Sequence, residues 1–194
     1  MNFGYSKDNH KIELKETDEK NRYSIQLYHL VATGADIEGK DILEVGCGRG
    51  GGLSYIYRYL SPNFVTGVDL NRKAINFCNK KYSTERIKFL QANAQKLKFQ
   101  KDSFDIVINI ESSHRYSQID LFLDEVYRVL KPSGFFLFAD FGDNIEIEKL
   151  NTQFGKLNFQ LIRFEIITNK PLTVFLKQWK HMSVAVQFKI KTPR

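Results

Sequence analysis

The chain reads Asp41-Ile-Leu-Glu-Val-Gly-Cys-Gly-Arg-Gly-Gly-Gly52 where a short apolar strand runs directly into a glycine cluster. Glycine at such a point permits a tight turn, a close approach of the backbone to a ligand, and close packing of the next helix on the strand. The spacing of Gly46, Gly48 and Gly51 also fits the dinucleotide-binding fingerprint, which is a weak signal when it stands alone. The stretch predicts a strand, a ligand-binding turn and a helix, in that order.

Further along the chain, apolar runs of strand length alternate with helical patterns. Such alternation predicts a parallel sheet with helices on both faces, and two last strand-like runs without a clear helix between them predict an antiparallel pair at one edge. We expect an α/β fold: a Rossmann-like doubly wound sheet of seven strands, mostly parallel, with an antiparallel last strand. The strands predicted after the first are Phe64–Asp69, Ile87–Leu90, Phe104–Ile110, Phe135–Ala139, Phe159–Ile167 and Ser183–Ile190.

Length and composition bound the architecture. The 194 residues suffice for one domain, and 42% hydrophobic residues with 16 Phe and 9 Tyr exclude disorder as the main state. We expect a flexible N-terminal arm over residues 1–21 and a single domain over residues 22–194. No apolar run has the length of a membrane span, and the N-terminus lacks a signal-peptide pattern. Cys47 and Cys78 match neither a disulfide framework nor a zinc spacing, so we expect a cytoplasmic location and no metal.

The net charge of +7 is concentrated toward the end of the chain, where residues 146–194 hold nine Lys and Arg against three Glu. A basic region can attract nucleic acid, anionic lipid or an acidic partner. It is also what an ordinary solvated face presents. Charge alone leaves these interpretations open.

Two acidic residues near the glycine cluster narrow the choice of ligand. Asp69 ends the second predicted strand, where a carboxylate can accept both hydroxyl hydrogens of a ribose, although it could instead serve the helix that follows Asn71. Glu44 lies two residues before the first glycine, where a pyrophosphate would meet a negative charge. An ammonium group or another positive centre would tolerate Glu44, which favours S-adenosylmethionine (SAM) over NAD as the cofactor.

The motif Glu44–Gly52 resembles the first motif of class I SAM-dependent methyltransferases, and Asp69 matches the acidic residue that ends their second strand. Leu130-Lys-Pro-Ser-Gly134 is similar to their segment before strand five. Together with Asn109-Ile-Glu-Ser-Ser-His114, the motifs resemble more narrowly the phthiotriolone/phenolphthiotriolone dimethyltransferase-like group. The resemblance implies SAM as cofactor, S-adenosylhomocysteine (SAH) as product, and cofactor contacts by Glu44, Gly46, Cys47, Gly48, Gly50, Asp69, Leu70, Asn93, Ala94, Asn109 and Ile110.

Two departures from that group stand out. Its usual Gly-Asp-Ala after strand three is Ala92-Asn-Ala94 here. Asn93 can still accept a hydrogen bond from the adenine amino group, but its amide oxygen lacks the negative charge of an aspartate. Many relatives also carry a longer lid between strands six and seven, where this chain has only residues 169–182. We expect that connection and the helix around Tyr23–Val31 to border the acceptor pocket.

Two side chains after the fourth predicted strand are candidates for a general base. His114 is the better chemical match because imidazole titrates near neutral pH, and Glu111 is the second candidate. Either could instead have a plainer role, Glu111 as a cofactor contact and His114 as a loop residue with a backbone partner. A base at this position would assist methylation of an oxygen by accepting its proton.

The function expected from these features is methyl transfer to a small apolar or aromatic acceptor, most simply to a hydroxyl oxygen of a lipid or polyketide. An RNA or protein methyltransferase that uses the basic C-terminal region is the first alternative. A subunit that binds SAM or SAH without turnover is the second, and an NAD-dependent oxidoreductase is the third. The sequence does not decide the oligomeric state.

Overall fold

The computed structural model describes residues 2–6, 12–142, 150, 152–157, 159–167 and 182–190. Helices and strands alternate along these residues as the pattern predicted. The helices are α1 (Glu16–Glu19), α2 (Arg22–Ala32), α3 (Gly51–Tyr59), α4 (Arg72–Lys81) and α5 (Ile119–Val129), with a 3₁₀ turn at Ser113–Arg115. The strands are β1 (Asp41–Val45), β2 (Phe64–Asp69), β3 (Ile87–Gln91), β4 (Phe104–Ile110), β5 (Leu130–Gly142), β6 (Phe159–Ile166) and β7 (Met182–Ile190).

The strands form one seven-stranded sheet in the order β3-β2-β1-β4-β5-β7-β6. Strands β1 to β5 pair in parallel, and β7 runs antiparallel to both β5 and β6. The predicted doubly wound sheet with one antiparallel strand is therefore confirmed. The order reverses between β1 and β4, and ligands of such sheets bind at that switch point, beyond the carboxyl ends of the strands.

Two hydrophobic clusters cover the two faces of the sheet. Residues of α2, α3 and α4 pack on one face, and residues of α5 together with Phe154 pack on the other. Strand β4 is central and almost wholly buried, which explains why its sequence is nearly all apolar. This packing holds the ends of β1 and β4 side by side.

Local signals predicted some boundaries better than others. The Asn71 side chain caps α4 by accepting from two backbone N–H groups, as expected. Helix α5 begins after Gln118, whose side chain makes no cap hydrogen bond. Strand β5 is longer than predicted, because its end pairs with β7 up to Gly142. Residues 150 and 152–156 are helical, and the connection 169–182 lies almost wholly outside the described residues.

The described part of the predicted N-terminal arm contacts the domain. Tyr5 N–H donates to Tyr23 O over 2.9 Å, and Arg58 of α3 forms an ion pair with Asp18. The division of the chain at residue 21 remains a prediction. None of the described helices is long and apolar enough to cross a membrane, and the cytoplasmic location remains a prediction.

Candidate active site

The glycine cluster forms the turn between β1 and α3, with backbone angles that other residues rarely adopt. Gly46, Gly48 and Gly50 have φ of +80°, +53° and +69°. A Cβ atom at Gly46 would lie 2.0 Å from Ser112 Oγ, so this position has no room for a side chain. Around Gly48 nothing lies within 4 Å of such an atom, so the backbone there is open to a ligand.

Asp69 ends β2 beside this turn, and two backbone donors already hold its carboxylate. Gly48 N–H donates to Oδ2 and Asn71 N–H donates to Oδ1, each over 2.8 Å. The side chain that caps α4 is that of Asn71, so Asp69 is not needed for that role. Because a carboxylate offers about four acceptor positions, Asp69 retains capacity for the hydroxyl groups of a ribose.

Glu44 is fully buried on β1, and one of its carboxylate oxygens lacks a donor in the described part of the chain. Tyr28 of α2 donates its hydroxyl to Oε1 over 2.6 Å, while no donor reaches Oε2. Gly52 permits this contact, because a Cβ there would lie 1.9 Å from the Tyr28 ring. A buried acceptor without a donor is costly, and an ammonium group on a ligand would satisfy it. The residues present therefore fit the cationic methionine end of SAM.

Glu44→Gln is expected to stabilise the ligand-free protein at alkaline pH. Burial raises the pKa of Glu44 to about 7, against a smaller opposing effect of the Tyr28 hydrogen bond. A carboxyl whose pKa is higher in the folded than in the unfolded chain binds its proton more tightly when folded. The free energy of unfolding therefore falls as pH rises from about 4.5 to about 7 and the carboxyl loses that proton. Removing the charge should add about 3 kcal/mol to the free energy of unfolding at about pH 8 and little at about pH 4, as measured by urea unfolding.

Glu125→Gln is the matched control of opposite sign. Arg128 holds the pKa of Glu125 below its usual value, so the ionised form is favoured in the folded chain. That variant should lose stability at the alkaline pH where Glu44→Gln gains it. Equal stability of Glu44→Gln and the parent protein at about pH 8 would contradict the expected cost of the buried charge.

The residues predicted for the adenosine end of the cofactor follow β2 and β3. Asn93 Oδ1 accepts from the backbone N–H of Gln95 over 2.9 Å and keeps a second acceptor position for an amino group. Leu70 exposes much of its side chain, and Ala94 packs against the core. Cys47 is buried among the core residues under the turn, as a packed residue would be. Their contacts with a cofactor remain predictions.

Asn109 and Ile110 end β4, next to the end of β1. The Asn109 amide donates to Val45 O over 2.8 Å and to the Tyr116 hydroxyl over 3.1 Å. Its buried Oδ1 meets no donor among the described residues. Ile110 belongs to the core on the α2 face of the sheet. Asn109 thus ties two strand ends together and leaves one acceptor free near the proposed cofactor site.

His114 lies in the 3₁₀ turn after β4, where the buried carboxylate of Asp140 fixes its ring. Nδ1 is 2.8 Å from Asp140 Oδ1, and the His114 N–H donates to Oδ2 over 3.1 Å. Arg115 donates to His114 Nε2 over 3.3 Å, which assigns the ring proton to Nδ1 and a lone pair to Nε2. This orients the imidazole as a base whose free nitrogen faces away from Asp140.

Asp140 is a candidate functional residue that the sequence analysis missed. The available signal was its position, because Asp140 directly follows the predicted strand Phe135–Ala139. The last parallel pair of β4 and β5 is Ile110 with Ala139, so Glu111 and Asp140 both lie one residue beyond that pair. Adjacent ends of parallel strands bring their next side chains together.

Glu111 has a different environment from His114. Its backbone has the unusual φ of +48°, and its Oε2 accepts from Phe3 N–H over 2.8 Å. Burial raises the pKa of Glu111 to about 7; the Phe3 hydrogen bond lowers it and the charge of Asp140 raises it. Both predicted base candidates therefore lie at the end of β4, but only His114 has an orienting carboxylate.

Three features lie at neighbouring strand ends of one doubly wound sheet: the glycine turn, the Asp69 carboxylate and the oriented ring of His114. The fold is that of the class I SAM-dependent methyltransferases. Residues 43–138 match the family model described as "Methyltransferase domain".

Two curated relatives from mycobacteria are similar to the chain. A "Fatty-acid O-methyltransferase" of Mycolicibacterium smegmatis is 46% identical over 173 residues, which cover 86% of this chain and 63% of the relative. A "Phthiotriol/phenolphthiotriol dimycocerosates methyltransferase" of Mycobacterium tuberculosis is 45% identical over 148 residues, which cover 76% of this chain and 55% of the relative. The chain spans less than two thirds of the length of either relative. The predicted relationship to this group is confirmed.

Solved structures of low sequence identity share the fold. The cyclase SpnF superposes with a TM-score of 0.81 at 16% identity, covering 100% of this chain and 88% of SpnF. A putative SAM-dependent methyltransferase of Listeria monocytogenes gives a TM-score of 0.72 at 15% identity, covering 85% of this chain and 98% of that one. These matches concern the fold, and function has to be argued from the site.

Proposed function

We propose that the protein is a SAM-dependent O-methyltransferase that acts on an oxygen of a lipid-like small molecule. The observation that carries the proposal is the pairing of His114 with buried Asp140 at the end of β4. His114 follows β4, and β4 is the neighbour of β1, whose glycine turn and buried Glu44 fit the cofactor. A base and a cofactor site at neighbouring strand ends are what transfer of a methyl group to oxygen requires.

The chain's own residues divide into two sets around that reaction. Asp69 would accept the ribose hydroxyls, Glu44 the ammonium group, and Asn93 the adenine amino group. Bound SAM supplies a methyl group on a positively charged sulfur, which leaves as a neutral thioether. The protein aligns acceptor and methyl group, and such positioning can contribute roughly 7–11 kcal/mol.

His114 handles the proton of a hydroxyl acceptor. Nε2 accepts the proton as the acceptor oxygen forms its bond to the methyl carbon, and Arg115 gives up its long hydrogen bond to make room. The Nδ1–H stays hydrogen-bonded to the Asp140 carboxylate, whose negative charge stabilises the imidazolium that forms. A carboxylate acceptor would carry no proton, and it would need the imidazole only for its position and charge.

The names of the two mycobacterial relatives support a lipid-like acceptor. One name specifies a fatty acid and the other a phthiotriol dimycocerosate, and both are lipids that offer oxygen to a methyltransferase. The acceptor of this chain is our proposal, because the chain spans only part of either relative. We propose that the methyl group is transferred to a hydroxyl or carboxyl oxygen at the end of an apolar chain.

Calorimetry followed by product analysis tests the proposal. We expect SAM and SAH to bind with micromolar affinity and NADH to show no binding. Incubation with SAM and a panel of long-chain alcohols, phenols and fatty acids should give methyl ethers or methyl esters by mass spectrometry. Binding without any product would favour a non-catalytic partner subunit. Strongly salt-dependent RNA binding with methylated RNA would favour the nucleic-acid alternative.

A further inference from the structure

The N-terminal segment, residues 2–6, lies against α2 and the residue that follows β4, and it is held there at several points. Phe3 N–H donates to Glu111 Oε2 over 2.8 Å, and Asn2 Nδ2 donates to Ser24 O over 3.2 Å. Gly4 has φ of +77°, and a Cβ there would lie 2.8 Å from Tyr23 Cβ. The backbone of this segment is thus positioned on α2 and on the end of β4.

The backbone of Phe3 is held by a hydrogen bond, and yet its side chain is exposed to solvent. Its ring is 60% exposed to solvent and meets the Phe141 ring edge to face at a centroid distance of 5.1 Å. The Phe141 ring in turn lies 4.4 Å from the His114 ring. A row of aromatic rings therefore leads from the imidazole outward to the N-terminal segment.

An aromatic ring on a positioned backbone, joined through Phe141 to the candidate base, is placed to line the path of a ligand to that base. We propose that Phe3 is an acceptor-specificity residue that forms, with Phe141, an apolar wall for the hydrocarbon chain of the acceptor. This rests on the proposed function, since it assumes that the acceptor's oxygen is placed at His114. The oxygen end contacts the imidazole, the first carbons pass Phe141, and only a longer chain reaches Phe3.

This arrangement gives Glu111 a role besides its candidacy as a base. The Glu111 carboxylate accepts the Phe3 N–H, so it is a positioning residue for the wall. Glu111 has a left-handed backbone angle, and its side chain reaches the segment from the end of β4. The chemistry that such a wall recognises is an unbranched hydrocarbon chain that ends in an oxygen.

Calorimetric titration of hexan-1-ol and dodecan-1-ol, with SAH present, tests the role of Phe3 without requiring turnover. The parent protein should bind the longer alcohol more tightly, because more apolar surface is buried. Phe3→Ala should weaken dodecan-1-ol binding about tenfold and hexan-1-ol binding less than twofold. Phe3→Leu should retain most of the preference, since a leucine still offers apolar surface. Phe64→Ala is the control, because Phe64 is 45% exposed at the amino end of β2 and should leave both affinities unchanged.

Each outcome bears on one proposal. An unchanged ratio of the two affinities in Phe3→Ala, an equal loss for both alcohols, or binding of neither alcohol by the parent protein would overturn the role of Phe3. Absence of methylated product with every acceptor would overturn the proposed function, while the alcohol ratio would still decide on Phe3. Thermal melting monitored by circular dichroism checks that the variants remain folded.

Discussion

His114→Ala should lower kcat for a long-chain alcohol by about 10²–10⁴-fold, the usual contribution of a general base. The acceptor hydroxyl would keep its proton, because no other described side chain at the end of β4 combines a free nitrogen with an orienting carboxylate. The affinity for SAM should stay within about twofold of the parent protein, since His114 is not among the predicted cofactor contacts. Single-turnover kinetics with a labelled methyl group and calorimetry with SAM separate the two effects.

A fatty acid provides the internal control for this prediction. Its carboxylate is already deprotonated at neutral pH, so His114→Ala should cost much less with a fatty acid than with the matching alcohol. An equal loss with both acceptors would show that the imidazole acts by position or charge and not as a base. Full alcohol methylation by the variant would remove His114 from the mechanism.

Asp140→Asn should reduce kcat for the alcohol and leave KM near its parent value. Asparagine can still accept a hydrogen bond, yet it lacks the charge that stabilises the imidazolium, and its amide can force the wrong ring tautomer. Asp140 also accepts from Ser113 Oγ and from the Phe141 N–H, so the asparagine variant is preferred over alanine to protect the fold. A larger KM with unchanged kcat would indicate a purely structural role for Asp140.

The glycine turn and the strand ends around it were predictable from the sequence because their determinants are local. The glycine turn has left-handed backbone angles, which glycine adopts without strain. The motif can therefore be recognised from a short run of consecutive residues. Asp69 follows as the end of the next strand of a parallel sheet. Asn71 as a cap is visible from its position before α4.

The acceptor side was less predictable because its contacts join distant parts of the chain. The His114–Asp140 pair and the Phe3–Glu111 hydrogen bond depend on strand order and on the path of the N-terminal segment. No periodicity in the sequence encodes those contacts. The contact of Tyr28 with Glu44 is of the same kind, because it exists only where Gly52 leaves room between α2 and α3.

Asp69→Ala should weaken SAM and SAH binding by roughly 100-fold. Hydrogen bonds to a charged partner contribute about 1.5–3 kcal/mol each, and the substitution removes those that the carboxylate would make to the ribose. It also leaves Gly48 N–H without its acceptor, so the glycine turn loses a contact that holds its shape. Calorimetry with both ligands measures the loss, and NADH serves as the negative ligand.

Asn71→Ala separates the ligand effect from a loss of local structure. Asn71 lies two residues away and caps α4, so its removal should lower stability by about 1 kcal/mol while SAM affinity changes little. Asp69→Ala should show the reverse, with a large loss of affinity and a small change in melting temperature. If the two variants lost affinity equally, Asp69 would act only by shaping the turn. If Asp69→Ala bound SAM normally, the predicted contact of Asp69 with the ribose would be wrong, and the cofactor site would have to be placed elsewhere.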